Sequence, residues 1–416
     1  MNNVSKRRAF GAVAGFSAVA LTIGTALPAN AADTQLKIGA IVPLTGSLSF
    51  LVAPEIAGLH LAVDEINAAG GVLGKKVTLD ILDEADGDSP AVSVASATKH
   101  LANKVDLIIG AASSARTRLV INKITGAKVV QISGSNTAPD LTDWKDGGYY
   151  FRTAPSDLLQ GRVLANQILQ DGADNVAVLF QGTSYGIGLN AQLKAVLEKG
   201  KAKVTSIEFP ENETSVASYL DKALAGKPDA VVLVSYNESK KFLPALQAKG
   251  FSGGNVYLVD GNAVDYSKES YAEYLNGAKA SIPGKALDAS VKAKLAAAYK
   301  KYEKKTLTEY TYAESIYDAV IIGALAAEAA KDASGPGIKS QITEISKAGA
   351  GKVTVTSFAA GVKALKAGKK INYDGLTGAV EFDKNGDPTG AYIGIWRYSA
   401  AGTSKLVKTV LGSSVK

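Results

Sequence analysis

Short runs of apolar, β-branched residues alternate along this chain with longer segments in which apolar residues recur every three or four positions. The first pattern is typical of buried strands and the second of amphipathic helices, so the alternation predicts parallel sheets joined by crossover helices. The predicted strands form two series, one at 36–42, 76–82, 105–109 and 129–132, and one at 175–180, 203–209, 230–234 and 255–259.

Two such series predict an α/β protein with two doubly wound lobes. A chain of 416 residues also exceeds the ~250 to 300 residues that one hydrophobic core serves well. Residues 288–367 are expected to be mainly helical, with 313–330 as the most apolar helix. Near the end, the turn-forming residues 383–387 predict a hairpin between 379–382 and 391–398.

The first residues have the features of an export signal. Lys6, Arg7 and Arg8 precede a small, apolar stretch at 9–27, and Ala-Asn-Ala at 29–31 is typical of a cleavage site. We therefore expect residues 1–31 to be a signal peptide and the mature protein to be periplasmic or extracellular. The arginine pair leaves both the general secretory route and the twin-arginine route open.

Composition disfavours several classes of function. The chain has no cysteine, so disulfides, thiol catalysis and a cysteine-linked lipid anchor are not expected. Its two histidines, His60 and His100, fall inside predicted helices and far from any nucleophile motif, so we expect neither an enzyme nor a cofactor. The acidic clusters lack the glycine spacing of a calcium loop, so no metal is expected, and the net charge of +7 comes from scattered lysines, which disfavours nucleic-acid binding.

Polar and aromatic residues follow the predicted strands, where ligands bind in open α/β sheets. Hydroxyl and amide groups beside helix N-termini suit a carboxylate, whereas a carboxylate between tyrosines suits an ammonium group. Taken singly, each residue could also be a helix cap, a polar turn or a tyrosine at the edge of the core. The residues concerned are Ser113, Ser114, Asn136, Thr137, Tyr185, Tyr236 and Asp260.

Two motifs make a family resemblance specific. Ile-Gly-Ala-Ile-Val-Pro-Leu-Thr-Gly at 38–46, followed by the segment 58–75, resembles the start of the branched-chain amino-acid (Leu/Ile/Val) binding proteins. These are type I periplasmic binding proteins of ABC transporters, and the likeness spans essentially the whole mature chain. It implies two lobes joined by three crossovers, with 33–152 plus 284–375 in lobe 1 and 153–283 plus 376–416 in lobe 2.

The resemblance also implies roles for the candidate residues. Ser114 matches the serine that binds the ligand carboxylate, and Asn136 and Thr137 match the pair that completes that site. Tyr185 and Tyr236 resemble the tyrosines that close over the ligand. Asp260 falls where the family has an acidic residue for the α-ammonium group.

The chain departs from the family pattern at 46–52, where a tyrosine wall is missing and Phe50 or Leu51 is expected to replace it. Arg116 is expected either to meet a second acidic group of the ligand or to lie on the solvent-facing rim.

The function implied is capture of an amino acid, branched-chain or otherwise apolar, by closure of the lobes, for delivery by a monomeric protein to ABC permease subunits. A short amide, urea or an aromatic acid as ligand, and a role as a sensor ectodomain, remain alternatives.

Overall fold

The computed structural model describes residues 35–414, so the predicted signal segment lies outside the described residues. The first sheet has five parallel strands in the order β2, β1, β3, β4, β5. The four strands predicted in the first series are present, and a fifth follows at the edge. The strands are β1 (Lys37–Val42), β2 (Thr78–Asp83), β3 (Leu107–Gly110), β4 (Val130–Ser133) and β5 (Tyr150–Arg152).

Helices from two separate stretches of chain accompany this sheet. One of them, α9, is buried at every residue from Ala313 to Ala327, which confirms the expectation that it is the most apolar helix. Such a helix must be covered on all faces, and α9 contacts α1, α10, α11 and the sheet. The helices are α1 (Val52–Ala68), α2 (Ala91–Ala102), α3 (Ser114–Gly126), α8 (Ala289–Glu303), α9 (Ala313–Ala330), α10 (Gly335–Ile345) and α11 (Phe358–Lys366).

The second sheet has seven strands in the order β15, β14, β10, β9, β8, β6, β7. Strands β6 to β10 are mutually parallel, whereas β14 and β15 are antiparallel additions at one edge. The strands are β6 (Asn175–Gln181), β7 (Lys203–Phe209), β8 (Ala230–Val234), β9 (Val256–Val259), β10 (Lys279–Pro283), β14 (Tyr392–Tyr398) and β15 (Ser404–Leu411). The helices that accompany them are α4 (Asp157–Gln170), α5 (Ser184–Lys199), α6 (Ala217–Ala225) and α7 (Ser239–Ala248).

The predicted hairpin near the end of the chain is wrong. Strand β14 pairs with β10 and β15, and not with 379–382. The physical reason is burial, because Ile393 and Ile395 of β14 pack against Val163 of α4, and β15 supplies the second partner strand. The turn at 383–387 closes only a single bridge, between Phe382 and Pro388. A small third sheet contains β11 (Lys352–Val355), β12 (Lys370–Gly375) and β13 (Gly378–Ala379).

No helix among residues 35–414 is both long and apolar enough to cross a membrane.

Candidate ligand-binding site

A cavity of about 20 Å³ lies where the carboxyl ends of strands from the two large sheets meet. Residues that follow β3 and β4 line one side, which we call the first-sheet side. Residues that follow β6, β8 and β9 line the other, the second-sheet side. The lining residues are Leu48, Leu51, Ala112, Ser114, Ser135, Thr137, Tyr185, Tyr236, Asp260, Gly261 and Tyr312.

Six of the nine residues predicted for the site line this cavity: Leu51, Ser114, Thr137, Tyr185, Tyr236 and Asp260. Strands carry them to a common edge because both sheets are parallel where these residues follow the strands. A larger cavity of about 230 Å³, between the end of β10 and Trp396 of β14, is lined by none of the predicted residues. The convergence of strand ends therefore identifies the smaller cavity as the candidate site.

Ser113, Asn136 and Phe50 do not line the cavity. The Ser113 hydroxyl accepts the N–H of Arg116 at 3.5 Å and caps α3, while the backbone N–H of Ser113 donates to Glu84 at 3.1 Å. The carboxamide of Asn136 donates to two backbone carbonyls and accepts a hydrogen bond from a tyrosine hydroxyl at 2.8 Å, so it fastens the loops after β3 and β4 to each other. Phe50 is half-buried and packs against the core of the second-sheet side.

Hydroxyl groups dominate the first-sheet side. Ser114 begins α3, and its Oγ accepts the N–H of Ala138 at 3.3 Å, which fixes the hydroxyl beside the cavity. The N–H groups of Ala112 and Ser113 both donate to the buried carboxylate of Glu84, at 2.7 and 3.1 Å. A ligand on this side is therefore offered side-chain hydroxyls, since these two N–H groups at the start of α3 are already hydrogen-bonded.

Asp260 is the acidic centre of the second-sheet side and is 5 % exposed. Its Oδ1 accepts hydrogen bonds from the Tyr185 hydroxyl and the Gln160 amide, both at 2.8 Å, and its Oδ2 accepts one from Tyr312 at 2.5 Å. Burial raises the pKa of Asp260, whereas these donors and the Gly261 N–H lower it. The donors stabilise the carboxylate form, which is the form that binds an ammonium group.

The walls beside Asp260 are aromatic and apolar. The rings of Tyr185 and Tyr236 stack with centroids 5.4 Å apart and planes 14° from parallel. Leu48 and Leu51 belong to the same buried cluster as these tyrosines. Of Phe50 and Leu51, the two residues expected to replace the missing tyrosine wall, Leu51 lines the cavity and Phe50 does not. An apolar ligand group would meet an apolar surface here.

Tyr312 and the neighbouring buried carboxyls were not among the predicted residues. Tyr312 immediately precedes α9 in a left-handed backbone conformation with φ of 66°, which no sequence pattern indicated. Glu55 of α1 is fully buried and accepts a hydrogen bond from Ser135 at 2.8 Å; burial raises its pKa to about 8. Burial, and the charge of Glu55, raise the pKa of Glu84 well above its usual range.

Arg116 lies behind the site and not in the cavity lining. Its guanidinium is buried, and its Nη2 lies 3.4 Å from the carboxylate of Glu211, which follows β7 on the second-sheet side. Its Nε and Nη1 have no hydrogen-bond partner among the described residues. Of the two expectations for Arg116, neither a direct ligand contact nor an exposed rim position matches this placement.

No group of three or more acidic or histidine side chains within residues 35–414 is arranged to hold a metal ion.

Comparison with known proteins gives one consistent result. The family model described as "Periplasmic binding protein" matches residues 35–395. The chemotactic signal transduction system substrate-binding protein BasB of Halobacterium salinarum is 26% identical, with 91% of each chain covered. The Leu/Ile/Val-binding protein BraC3 of Rhizobium johnstonii is 27% identical, with 89% of this chain and 93% of BraC3 covered.

Among solved structures, the branched-chain amino acid transporter substrate binding protein LivJ of Streptococcus pneumoniae, in complex with isoleucine, superposes with a TM-score of 0.70. It is 25% identical, and the superposition covers 91% of this chain and 99% of LivJ.

Proposed function

This chain belongs to the periplasmic binding protein family, with the type I fold, and from that premise we propose that it captures a small amino acid outside the cytoplasm and presents it to an ABC permease. The observation that carries the proposal is the shared cavity, in which Asp260 on one side faces Ser114 and Thr137 on the other. A zwitterion needs an acidic partner and a set of hydroxyl donors at opposite ends, and this cavity supplies both.

In this proposal the α-ammonium group pairs with the carboxylate of Asp260, whose four donors oppose the rise in its pKa that burial causes. The α-carboxylate accepts hydrogen bonds from the hydroxyls of Ser114 and Thr137. The side chain lies against Leu48, Leu51 and the tyrosine walls, which favours a branched-chain or other apolar amino acid.

We further propose that the two large sheets are the cores of two lobes that close around the ligand. The supporting observations are the chain path and packing. After β5 ends at Arg152, α4 packs against β10 and β14 of the second sheet, and after β10 ends at Pro283, α8 packs against α1. These two passages support the proposed boundaries after residues 152 and 283. Val380 and Phe382 still pack with the core of the first sheet and β14 begins at Tyr392, so we propose that the third passage lies between 383 and 391 and not at 376.

The proposed location follows from the same family membership. We propose that residues 1–31 direct export and that the mature protein acts as a monomer in the periplasm or outside the cell. No enzymatic turnover is part of this function.

The small volume of the cavity supports a second class of ligand, short amides and urea. About 20 Å³ is room for little more than one water molecule, so the lobes must separate around any solute, and they must separate less for a short amide or urea than for leucine. The likeness to BasB, whose name includes chemotactic signal transduction, supports a second role in which the loaded protein is read by a receptor.

The ligand is identified by native mass spectrometry of the purified protein, followed by calorimetry with a panel of apolar amino acids, amides, urea and aromatic acids. We expect saturable binding of an apolar amino acid. Binding of amides or urea alone would replace the amino-acid proposal with its alternative, and binding of none of the panel would contradict both.

The same measurement tests Asp260. Removing its carboxylate leaves a buried ammonium group without a partner, which costs about 3 to 5 kcal/mol, so we expect Asp260→Ala to weaken binding by at least a hundredfold. The matched control is Asp221→Ala, which removes an exposed carboxylate paired with Lys249 on the same sheet's helices. Equal affinities of both variants for the amino acid would remove Asp260 from the site.

A further inference from the structure

Asp157 is a buried carboxyl at the start of α4 that the proposed binding contacts do not use. It is 0 % exposed, and neither of its carboxyl oxygens has a hydrogen-bond partner of normal geometry among the described residues. Its backbone N–H donates to the carbonyl of Thr137 at 2.7 Å. One helical turn later, Gln160 donates to Asp260, so α4 places Asp157 between the two sides of the cavity.

The charged groups Arg152 and Asp140 near Asp157 already form ion pairs with other residues. Arg152 of β5 donates from Nε and Nη2 to the two oxygens of Asp387, both at 2.6 Å, and from Nη1 to a backbone carbonyl. Asp140, which follows β4, pairs with Arg118 at 2.8 Å. In the part of the chain that the structure describes, no side-chain cation is hydrogen-bonded to Asp157 to stabilise its ionised form.

Asp157 and Asp260 differ in the number of hydrogen-bond donors around their carboxyl groups. Asp260 receives three side-chain hydrogen bonds and the Gly261 N–H, whereas Asp157 has only the nearby Thr137 hydroxyl. Gln160, on the same face of α4 as Asp157, is hydrogen-bonded to Asp260, and the charge of Asp260 acts on Asp157, so the two buried carboxyls do not both ionise without cost. The donors assign the negative charge to Asp260 and the proton to Asp157.

We propose that Asp157 is a positioning residue that takes up one proton when the lobes close on the ligand, so that the cavity presents a single negative charge to the ammonium group. This inference rests on the proposed function. Thr137 belongs to the first-sheet side and Asp260 to the second, so their separation on opening admits water to Asp157. The carboxyl is then ionised in the open form and protonated in the closed form.

The direction of the pH dependence follows from this difference. Burial first, and then the charge of Asp260, raise the pKa of Asp157 in the closed form well above its ordinary value of 3.8. The closed, loaded form is therefore favoured by protons between the ordinary pKa and the raised pKa. Across that window the dissociation constant rises with pH, by up to tenfold per pH unit.

Glu55 and Glu84, the other buried carboxyls near the site, have hydrogen-bond partners that all lie on the first-sheet side. Glu55 is hydrogen-bonded to Ser135, and Glu84 to the N–H groups of Ala112 and Ser113, all on the first-sheet side. We therefore expect their protonation to change little on closure. The hydroxyls of Tyr185 and Tyr312 also face Asp157, but burial keeps their pKa values above the range of interest.

The test is calorimetry of L-leucine binding at one pH in phosphate and in Tris, whose ionisation enthalpies differ. The difference in observed heat gives the number of protons taken up. We expect close to one proton per bound L-leucine for the wild type and close to none for Asp157→Asn, which keeps the shape and the neutral charge. Because the neutral amide needs no proton, we expect the affinity of the variant to lose its dependence on pH and to exceed that of the wild type by a margin that grows as the pH rises through the window.

The matched control is Glu314→Gln, which removes another buried carboxyl, whose pKa burial raises to about 8 and which lines the larger cavity near β10 and not the candidate site. This variant should keep the uptake of one proton. Tight binding of L-leucine without proton uptake, or equal uptake by Asp157→Asn, would overturn the role of Asp157 and leave the proposed function intact. Should Asp157→Asn not fold, a wild-type dissociation constant that stays constant from pH 5 to 8 overturns it equally. Absence of L-leucine binding altogether overturns the inference through the function on which it rests.

Discussion

The buried carboxyls of this protein differ in the number of hydrogen-bond donors that reach them. Asp318 of α9 accepts hydrogen bonds from Tyr373, from the N–H groups of Leu376 and Thr377, and from the Thr377 hydroxyl. Asp260 has a comparable set, whereas Asp157 has no such set. The donors around a buried carboxyl, more than its residue type, therefore decide how far burial raises its pKa, which is raised for all three and well above the usual range for Asp157.

Tyr312 contributes one of the shortest of these hydrogen bonds, 2.5 Å to Oδ2 of Asp260. Its removal by Tyr312→Phe takes a donor from a charged acceptor, and such hydrogen bonds contribute about 1.5 to 3 kcal/mol. Without this donor the pKa of Asp260 rises further, so less of the carboxylate form is present. We expect titration calorimetry to show amino-acid binding weakened by roughly 10- to 100-fold, with the larger loss at lower pH.

The chain supplies a matched control for that substitution. Tyr302 donates to the carboxylate of Asp64 at 2.6 Å, but this pair lies on the exposed faces of α8 and α1. Tyr302→Phe removes the same kind of hydrogen bond away from the cavity, and we expect it to leave ligand affinity unchanged. Equal effects of the two variants would show that Tyr312 does not act through Asp260.

At the scale of single elements, the close approach of α1 and α9 fixes where Tyr312 lies. A Cβ on Gly58 of α1 would lie 2.4 Å from the backbone carbonyl of Ala313, the first residue of α9. Only a glycine allows this spacing, and the adjacent Tyr312 is thereby held against Asp260.

Gly58→Ala is therefore expected to destabilise the fold by about 1 to 3 kcal/mol, since the added methyl meets backbone and not a movable side chain. Chemical denaturation measures the change, and ligand affinity should fall with it as α9 shifts. Gly126→Ala at the end of α3 is the control, because a Cβ there meets nothing within 4 Å. We expect Gly126→Ala to leave the free energy of unfolding unchanged or to raise it slightly. Equal stability of the two variants would contradict the packing argument.

Strands and helices whose apolar residues recur at a regular spacing were predictable from the sequence. Elements without such a spacing were not. The alternation of patterns located eight of the ten parallel strands of the two large sheets to within a few residues but missed β5 and β10. The rule that ligands bind beyond the carboxyl ends of strands pointed to Ser114 and Asp260. No residue of strand β15 is fully buried and two of its eight residues are lysines, so its pairing with β14 had no strong signal in the sequence. Tyr312 was missed because its role depends on a left-handed turn before α9 and on a tertiary contact, neither of which is encoded in a local pattern.

At the scale of the whole molecule, contacts outside the cavity join the two sides. Arg116 reaches Glu211, and the amide of Asn212 donates to the carboxylate of Asp88 at 2.8 Å. Both pairs connect a loop after β7 with elements of the first-sheet side. In the proposed mechanism they form only when the lobes close, so they add to the stability of the loaded form without touching the ligand.

Glu211→Gln tests this closure contact. The substitution keeps the shape of the side chain but removes the one carboxylate that pairs with Arg116 among residues 35–414, and we expect a loss of about 1 kcal/mol in the closed form alone. The dissociation constant should rise about fivefold, chiefly through a faster off-rate in stopped-flow fluorescence, because the open lobes still meet the ligand in the same way. Lys301→Ala, which breaks an ion pair with Asp64 between α8 and α1, should change neither rate. A slower on-rate with an unchanged off-rate in Glu211→Gln would instead mean that Glu211 acts before closure, in the encounter with the ligand.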